Sequence, residues 1–233
     1  MAVRALLEDS AQASGVEDFA LRLAGRRQLS NLGPISLVLK EEPTARAALD
    51  TLCRYLRLLN ASLLTRIEEH GKLLVIREEI LVAQTASTRQ SMELAVGVMY
   101  RIVRELLGPQ WKPVRVCFNH RPPSDASAHR AFFGTAVDFN SEFNGIVCNT
   151  ADLLVPQQGA NPEMARFARQ YPQAAERLSK AVAVALADPG IQEKIRGYGL
   201  VPSHAGPAET GAMVVEHLKR WEAPVKASGF KPE

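Results

Sequence analysis

The sequence predicts an α+β fold: an antiparallel sheet of about five strands packed with helices, followed by a mostly helical C-terminal tail. Three observations carry this. Apolar residues recur at helical spacing over much of the first sixty positions and again from Thr88 to Leu107. Between these stretches the period falls to two, from Ser62 to Ile80. Three further short β-type runs follow, set apart by Pro, Gly and Asn.

Ala2 to Ala13 reads as a helix with Leu6 and Leu7 on one face. Asp18 opens a second helix through Leu21, Leu23 and Ala24, ending near Gly25. Asn31 to Pro34 is a breaker, and Pro34 suits the first turn of whatever follows, where its missing N–H is not needed. Ile35, Leu37, Val38 and Leu39 form a short apolar segment. Pro43-Thr44 starts a longer helix, with Ala48, Leu49, Leu52, Tyr55, Leu56 and Leu59 along one side.

Ser62 to Glu69 and Lys72 to Ile80 read as two strands joined at His70-Gly71, because Gly71 accepts the positive φ of a tight hairpin turn. Leu63, Thr65 and Ile67 alternate with Leu64, Arg66 and Glu68, as a half-buried strand requires. The clearest helix is Thr88 to Leu107, where Met92, Leu94, Ala95, Val98, Met99, Ile102, Val103 and Leu106 make a broad apolar face and Gly108-Pro109 stops it. Val114 to Phe118 is a third strand. A short helix ends near Phe133, and Ala136 to Phe139 and Gly145 to Cys148 complete the strands. The tail adds a helix from Ala174 to Ala187, a short one from Ile191 to Arg196 and a last one from Pro207 to Lys226. The expected division is residues 1–171 and 172–233.

The composition is that of an ordinary globular chain, with 46% hydrophobic and 23% charged residues. A net charge of +3 with no dense Lys/Arg run does not mark a nucleic-acid binder. Cys53, Cys117 and Cys148 are scattered and form no C-x-x-C, so reduced core thiols are expected. No segment reads as a signal peptide or a membrane span, which gives a cytoplasmic expectation with no membrane partner.

An ordered set of segments then carries a resemblance. It comprises Leu32-Gly33-Pro34-Ile35-Ser36, Pro43-Thr44, Arg54-Tyr55-Leu56, Arg89-Gln90, Leu107 to Pro113, Val114 to His120, Phe132 to Phe139, and Asp152-Leu153 followed by Pro156. In this order and spacing, about two-thirds of the chain resembles the N-terminal arabinose-binding-type sensor domain of AraC-family regulators. The resemblance implies binding of a small-molecule effector and dimerisation, upstream of a helix-turn-helix domain. The first few dozen residues of the usual sensor and the DNA-binding domain have no counterpart in this sequence, which reads as a truncated regulator. From Ala185 to Pro189, Gly197 to Pro202, Pro207 to Glu209, Lys219 to Trp221 and Val225 to Glu233, the tail resembles the C-terminus of Bug-type receptors of tripartite tricarboxylate transporters.

The functional expectation is an effector-sensing and dimerising domain without its own DNA contact. It would hold its effector between sheet and helices and pair through an apolar helix face. Its partner would be a second copy or an intact AraC-family paralogue. The alternatives are a non-catalytic fusion remnant and a small-carboxylate solute-binding module. A degenerate helix-turn-helix over Ala181 to Arg196 is a weaker reading, since only Lys194 and Arg196 offer basic contacts there. No catalytic motif, cofactor signature or metal spacing is found, so neither an enzyme nor a metal site is expected.

Five residues are candidates for ligand contact. Arg66, Arg77 and Arg115, facing inward, would bind an anionic effector with paired hydrogen bonds. The plainer alternative is an exposed strand face with Glu68 and Glu78 as partners. His120 matches the family's Phe-x-His pattern and would stand at the pocket mouth, or else tie down the Arg121-Pro122-Pro123 turn. Asn144 would contact effector, or else serve with Gly145 as a turn before the last strand.

Overall fold

The structure is a computed structural model that describes residues 2–60, 62–81, 87–157 and 160–197. The expected final helix, Pro207 to Lys226, and most of the tail segments that carry the receptor resemblance lie outside the described residues. The fold divides into two units, Val3–Pro172 and Met1–Ala2 with Gln173–Glu233.

Helices come first: α1 (Ala2–Ser14), α2 (Phe19–Gly25), α3 (Ile35–Glu41) and α4 (Ala45–Leu59). Thr44 starts α4 because its hydroxyl accepts the otherwise orphaned Ala47 N–H at 3.1 Å. A hairpin follows, β1 (Leu63–His70) and β2 (Leu73–Ile80), turning at Gly71 and Lys72, one residue later than expected. Gly71 has φ +65°, the left-handed conformation a short hairpin needs. The long helix α5 (Arg89–Leu107) leads to β3 (Arg115–Cys117), α6 (Ser127–Phe133), β4 (Ala136–Asp138), β5 (Asn144–Asn149) and α7 (Thr150–Leu153).

The sheet order is β1-β2-β5-β3-β4. All pairings are antiparallel except β3 with β4, which are parallel. This departs from the all-antiparallel expectation. The cause is α6, whose crossover returns the chain to the same end of the sheet before β4 begins.

One face of the sheet is covered. Leu74, Ile76, Val116, Ile146 and Cys148 point into a core shared with Leu49, Leu52 and Tyr55 of α4 and with Met92, Val96, Met99 and Val103 of α5. On the far side of α5 lies α2, brought so close that a Cβ on Gly97 would stand 2.8 Å from the Ala24 Cβ. Tyr100, Phe118, Phe132 and Phe133 pack edge-on or tilted around the end of this core.

Two short helices have weaker sequence signals. A 3-10 turn spans Leu29–Leu32, overlapping the start of the expected breaker, and α8 (Pro162–Ala168) follows α7. The Asn161 side chain caps α8, and Pro162 fills its first turn. Arg169, just past α8, binds both oxygens of the buried Glu42 at 2.7 Å and so ties this segment to the end of α3. The second unit's described part is the remainder of α9 (Gln170–Ala187), which enters it from the first, and α10 (Pro189–Gly197).

Gly145 to Cys148 was expected as the last strand with Asn144-Gly145 as the turn before it; both residues lie within β5, with no turn at that pair. Gly145 stands opposite Arg77, where a Cβ would meet the Ile76 carbonyl oxygen at 2.1 Å. Only glycine fits there, because the obstruction is backbone. Gly145→Ala is expected to lower stability by about 3 kcal/mol and the melting temperature by about 10 °C. Thermal unfolding by circular dichroism checks this; an unchanged melt contradicts the close approach.

Candidate functional site

Strand parity sets the residues of the sheet face on which, among the described residues, no helix packs. Arg66 and Glu68 of β1 share it with Leu73, Val75 and Arg77 of β2, Val147 of β5, Arg115 and Cys117 of β3, and Asp138 of β4. Its middle is a groove of about 500 Å³, within the range of small-molecule sites. Val75, Cys117 and Val147 form a small apolar floor with Leu73 and Phe143 packed against it.

Two of the three predicted arginines meet across this floor. Arg77 and Arg115 both line the groove; Arg66 lies beside Arg77 on the same face but outside the lining. The Arg77 guanidinium stands 4.9 Å from the centre of the Phe143 ring, with Nε 3.0 Å from Glu68. Arg115 donates to Asp138 at 3.4 Å. The rim therefore presents two cation–carboxylate pairs, one on each side of an apolar strip. Glu78, expected as a partner on this face, is on the other one. Strand parity puts it with Leu74 and Ile76, and it is 1% exposed.

His120 and Asn144 are on the covered side. The buried Asn144 accepts the Asn119 N–H at 2.9 Å. The His120 Nδ1 lies 2.9 Å from the Arg121 carbonyl oxygen, which ties the turn, and its Nε2 lies 3.5 Å from Glu93. Burial pushes the His120 pKa down, against the smaller upward pull of the Arg121 carbonyl and Glu93.

Glu93 was missed by the sequence reading. It is fully buried and accepts from the Arg89 Nε at 2.9 Å, one turn earlier on α5. His129 of α6, also fully buried, brings its Nε2 to 3.2 Å from the same carboxyl oxygen, at an angle unsuited to a hydrogen bond. Neighbouring Gln90 accepts from the Ala20 N–H and donates to the Glu17 carbonyl, joining α5 to the start of α2. The spacing of Glu93 with Val96, Gly97 and Tyr100 is the signal that places it on a buried helix face. Among the described residues, no group of three or more His, Cys, Asp or Glu is arranged to hold a metal ion.

The cysteines offer no reactive thiolate. Burial pushes Cys53 up to about 11 and Cys148 up to about 12, and raises Cys117 as well. Among the described residues, no helix is long and apolar enough to cross a membrane.

Residues 1–157 match the family model described as the arabinose-binding domain of AraC transcription regulators, N-terminal. The HTH-type transcriptional regulator VirS of two Mycobacterium tuberculosis strains, CDC 1551 / Oshkosh and ATCC 25618 / H37Rv, is 27% identical over 168 residues. That alignment covers 71% of this chain and 49% of VirS, so the chain spans about half the length of the curated relatives it matches. The crystal structure of the transcriptional regulator CdpR from Pseudomonas aeruginosa superposes with a TM-score of 0.57 at 18% identity. It covers 64% of this chain and 49% of that one, a likeness of fold.

Glu78 supplies a pH signature. Burial pushes its carboxyl up to about 8, offset weakly by the Thr65 hydroxyl at 3.4 Å. A carboxyl raised on folding binds more protons in the native state than in the unfolded one. Its contribution is therefore fully present below about pH 4.5 and is lost as pH rises through about 8. Glu78→Gln is expected to flatten this fall, raising stability near pH 9 by a few kcal/mol, roughly, relative to wild type while changing it little near pH 4. Melting curves across that range check it; a fall of equal size in both proteins contradicts the assignment.

Proposed function

We propose, from the premise that this chain belongs to the family of arabinose-binding domains of AraC transcription regulators, that it senses a small amino-acid-like zwitterion in the groove on the open face of its sheet. The observation that carries the ligand class is the pairing of charges on the rim. A ligand carboxylate would take Arg77 or Arg115 with paired hydrogen bonds. A ligand ammonium would take Glu68 or Asp138, and an apolar side chain would lie over Val75 and Val147. Such a ligand replaces each surface pair with a new one, so neither charge is left unpartnered. A simple anion would leave a carboxylate facing it.

In this reading the sensor dimerises, with a second copy or with an AraC-family paralogue. DNA contact is assigned to that partner or to sequence beyond this chain. The support is the sparse basic content of the C-terminal tail. From Pro172 onward, eight Lys/Arg stand against seven Asp/Glu, and α10 carries only Lys194 and Arg196 beside Glu193. The relatives are named as regulators of transcription, and the reading is one of binding without catalysis.

The test is a thermal-shift titration with amino acids, sugars, fatty acids and small dicarboxylates. A ligand held at about 100 times its Kd is expected to add about 2.7 kcal/mol to the native state. Amino acids are expected to raise the melting temperature saturably in the wild type, and Arg77→Ala to lose the shift while still folding. A shift confined to sugars or fatty acids, or one retained by Arg77→Ala, contradicts the groove assignment.

A further inference from the structure

We infer that the free edge of β1 is the dimer surface, pairing antiparallel with β1 of a second copy about a two-fold axis through Ile67. The inference rests on the dimeric reading proposed above and names its interface, in place of an apolar helix face.

β1 is an edge strand: β2 flanks it on one side, and no described strand flanks the other. It is eight residues long, LLTRIEEH, with no Pro or Gly. The opposite edge, β4, has three residues. Edge strands left long and regular are templates for another strand.

Two hydrogen bonds fix which groups of β1 point outward. The Lys72 carbonyl accepts from Thr150 N–H, on the β5 side of β2, and the Leu81 N–H donates to the Ser62 carbonyl, on the β1 side. Even-numbered residues of β2 therefore bond β5, and odd-numbered ones bond β1. Through the register His70 with Leu73 and Arg66 with Arg77, the residues of β1 that bond β2 are Leu64, Arg66, Glu68 and His70. The backbone groups of Thr65, Ile67 and Glu69 point to the free edge.

These outward groups define the possible self-pairings. With the axis at Ile67, Ile67 faces its own copy and Thr65 faces Glu69, each pair exchanging both backbone bonds. Arg66 then falls opposite Glu68 of the other copy, twice by symmetry, in the position where side chains approach most closely. Shifting the axis by one residue sets Arg66 against Arg66 or Glu68 against Glu68, which is repulsive. The sequence thus favours one register. The contact is also isologous, so it closes as a dimer rather than growing.

Glu68 serves both places. It holds Arg77 at 3.0 Å in the groove and would meet Arg66 across the axis. A ligand held by Arg77 and Glu68 draws on the same carboxylate that Arg66 of the other copy would meet, so effector and dimer are coupled through one side chain.

The experiment is sedimentation of the full chain over a concentration series, with fold checked by circular dichroism. Wild type is expected to dimerise. Arg66→Glu and Glu68→Arg are each expected to weaken the dimer at least tenfold, because each sets like charges opposite one another. An equal mixture of the two variants should regain it, since one chain is then acidic at both positions and the other basic at both. Glu69→Pro should also weaken it at least tenfold while still folding, since that N–H faces the free edge and the side chain is exposed. A wild-type dimer unchanged in folded Arg66→Glu and Glu69→Pro overturns the edge and leaves the dimeric reading standing. A mixture that stays monomeric overturns the register. A wild-type monomer at every concentration overturns both the edge and the dimeric reading.

Discussion

Among the described residues, helices pack on one face of the sheet only, and the rest of the arrangement depends on that asymmetry. Leu74, Ile76, Val116 and Ile146 alternate with side chains that face outward, so the same strands that build the core also build the groove. Each fully buried residue of this kind contributes roughly 1.5–3 kcal/mol. The parity of the strands is consequently held by many residues at once. A slip by one position would turn the core outward and place Arg77 and Arg115 beneath α5.

The covered side holds an unusual amount of polar chemistry for a core. Arg89 and Glu93 pair within α5, His120 and His129 close over the carboxyl, and Gln90 reaches α2. These contacts join α2, α5, α6 and the turn after β3 around one point. A buried pair of this type adds little net stability but is costly to break, by about 3–5 kcal/mol when one member is removed. It therefore acts mainly to fix how α5 sits over the sheet. The groove on the other face inherits that rigidity through β2, β3 and β5, which suits a site whose geometry must be set before ligand arrives.

Much of the fold was legible because its signals are local. The hairpin turn at Gly71, the cap at Thr44 and the stop at Gly108 each follow from one or two residues. The parallel β3–β4 pair was not legible, since strand direction depends on where α6 carries the chain. Asn144-Gly145 has the composition of a turn; what keeps it in β5 is the approach of the Ile76 carbonyl, a long-range contact. In the candidate site, Arg77 and Arg115 could be named from their strands, but Cys117 and Val147 could join them only once the strand order was known. Glu78 was expected on an exposed face and Glu93 was passed over, both because they are charged. Their register with Ile76 and with Val96 and Tyr100 placed both inside, and position outweighed chemical type.

In the proposed function, ligand is read on the open face of the sheet and not within the core. Amide chemical shifts of the full chain, followed by nuclear magnetic resonance as an amino acid that raises the melting temperature is titrated in, test it most directly. Saturable changes are expected, centred on Val75, Arg77, Cys117 and Val147. Changes centred on Glu93, His120 and His129, with the open face unmoved, would contradict it and place the effector between sheet and helices.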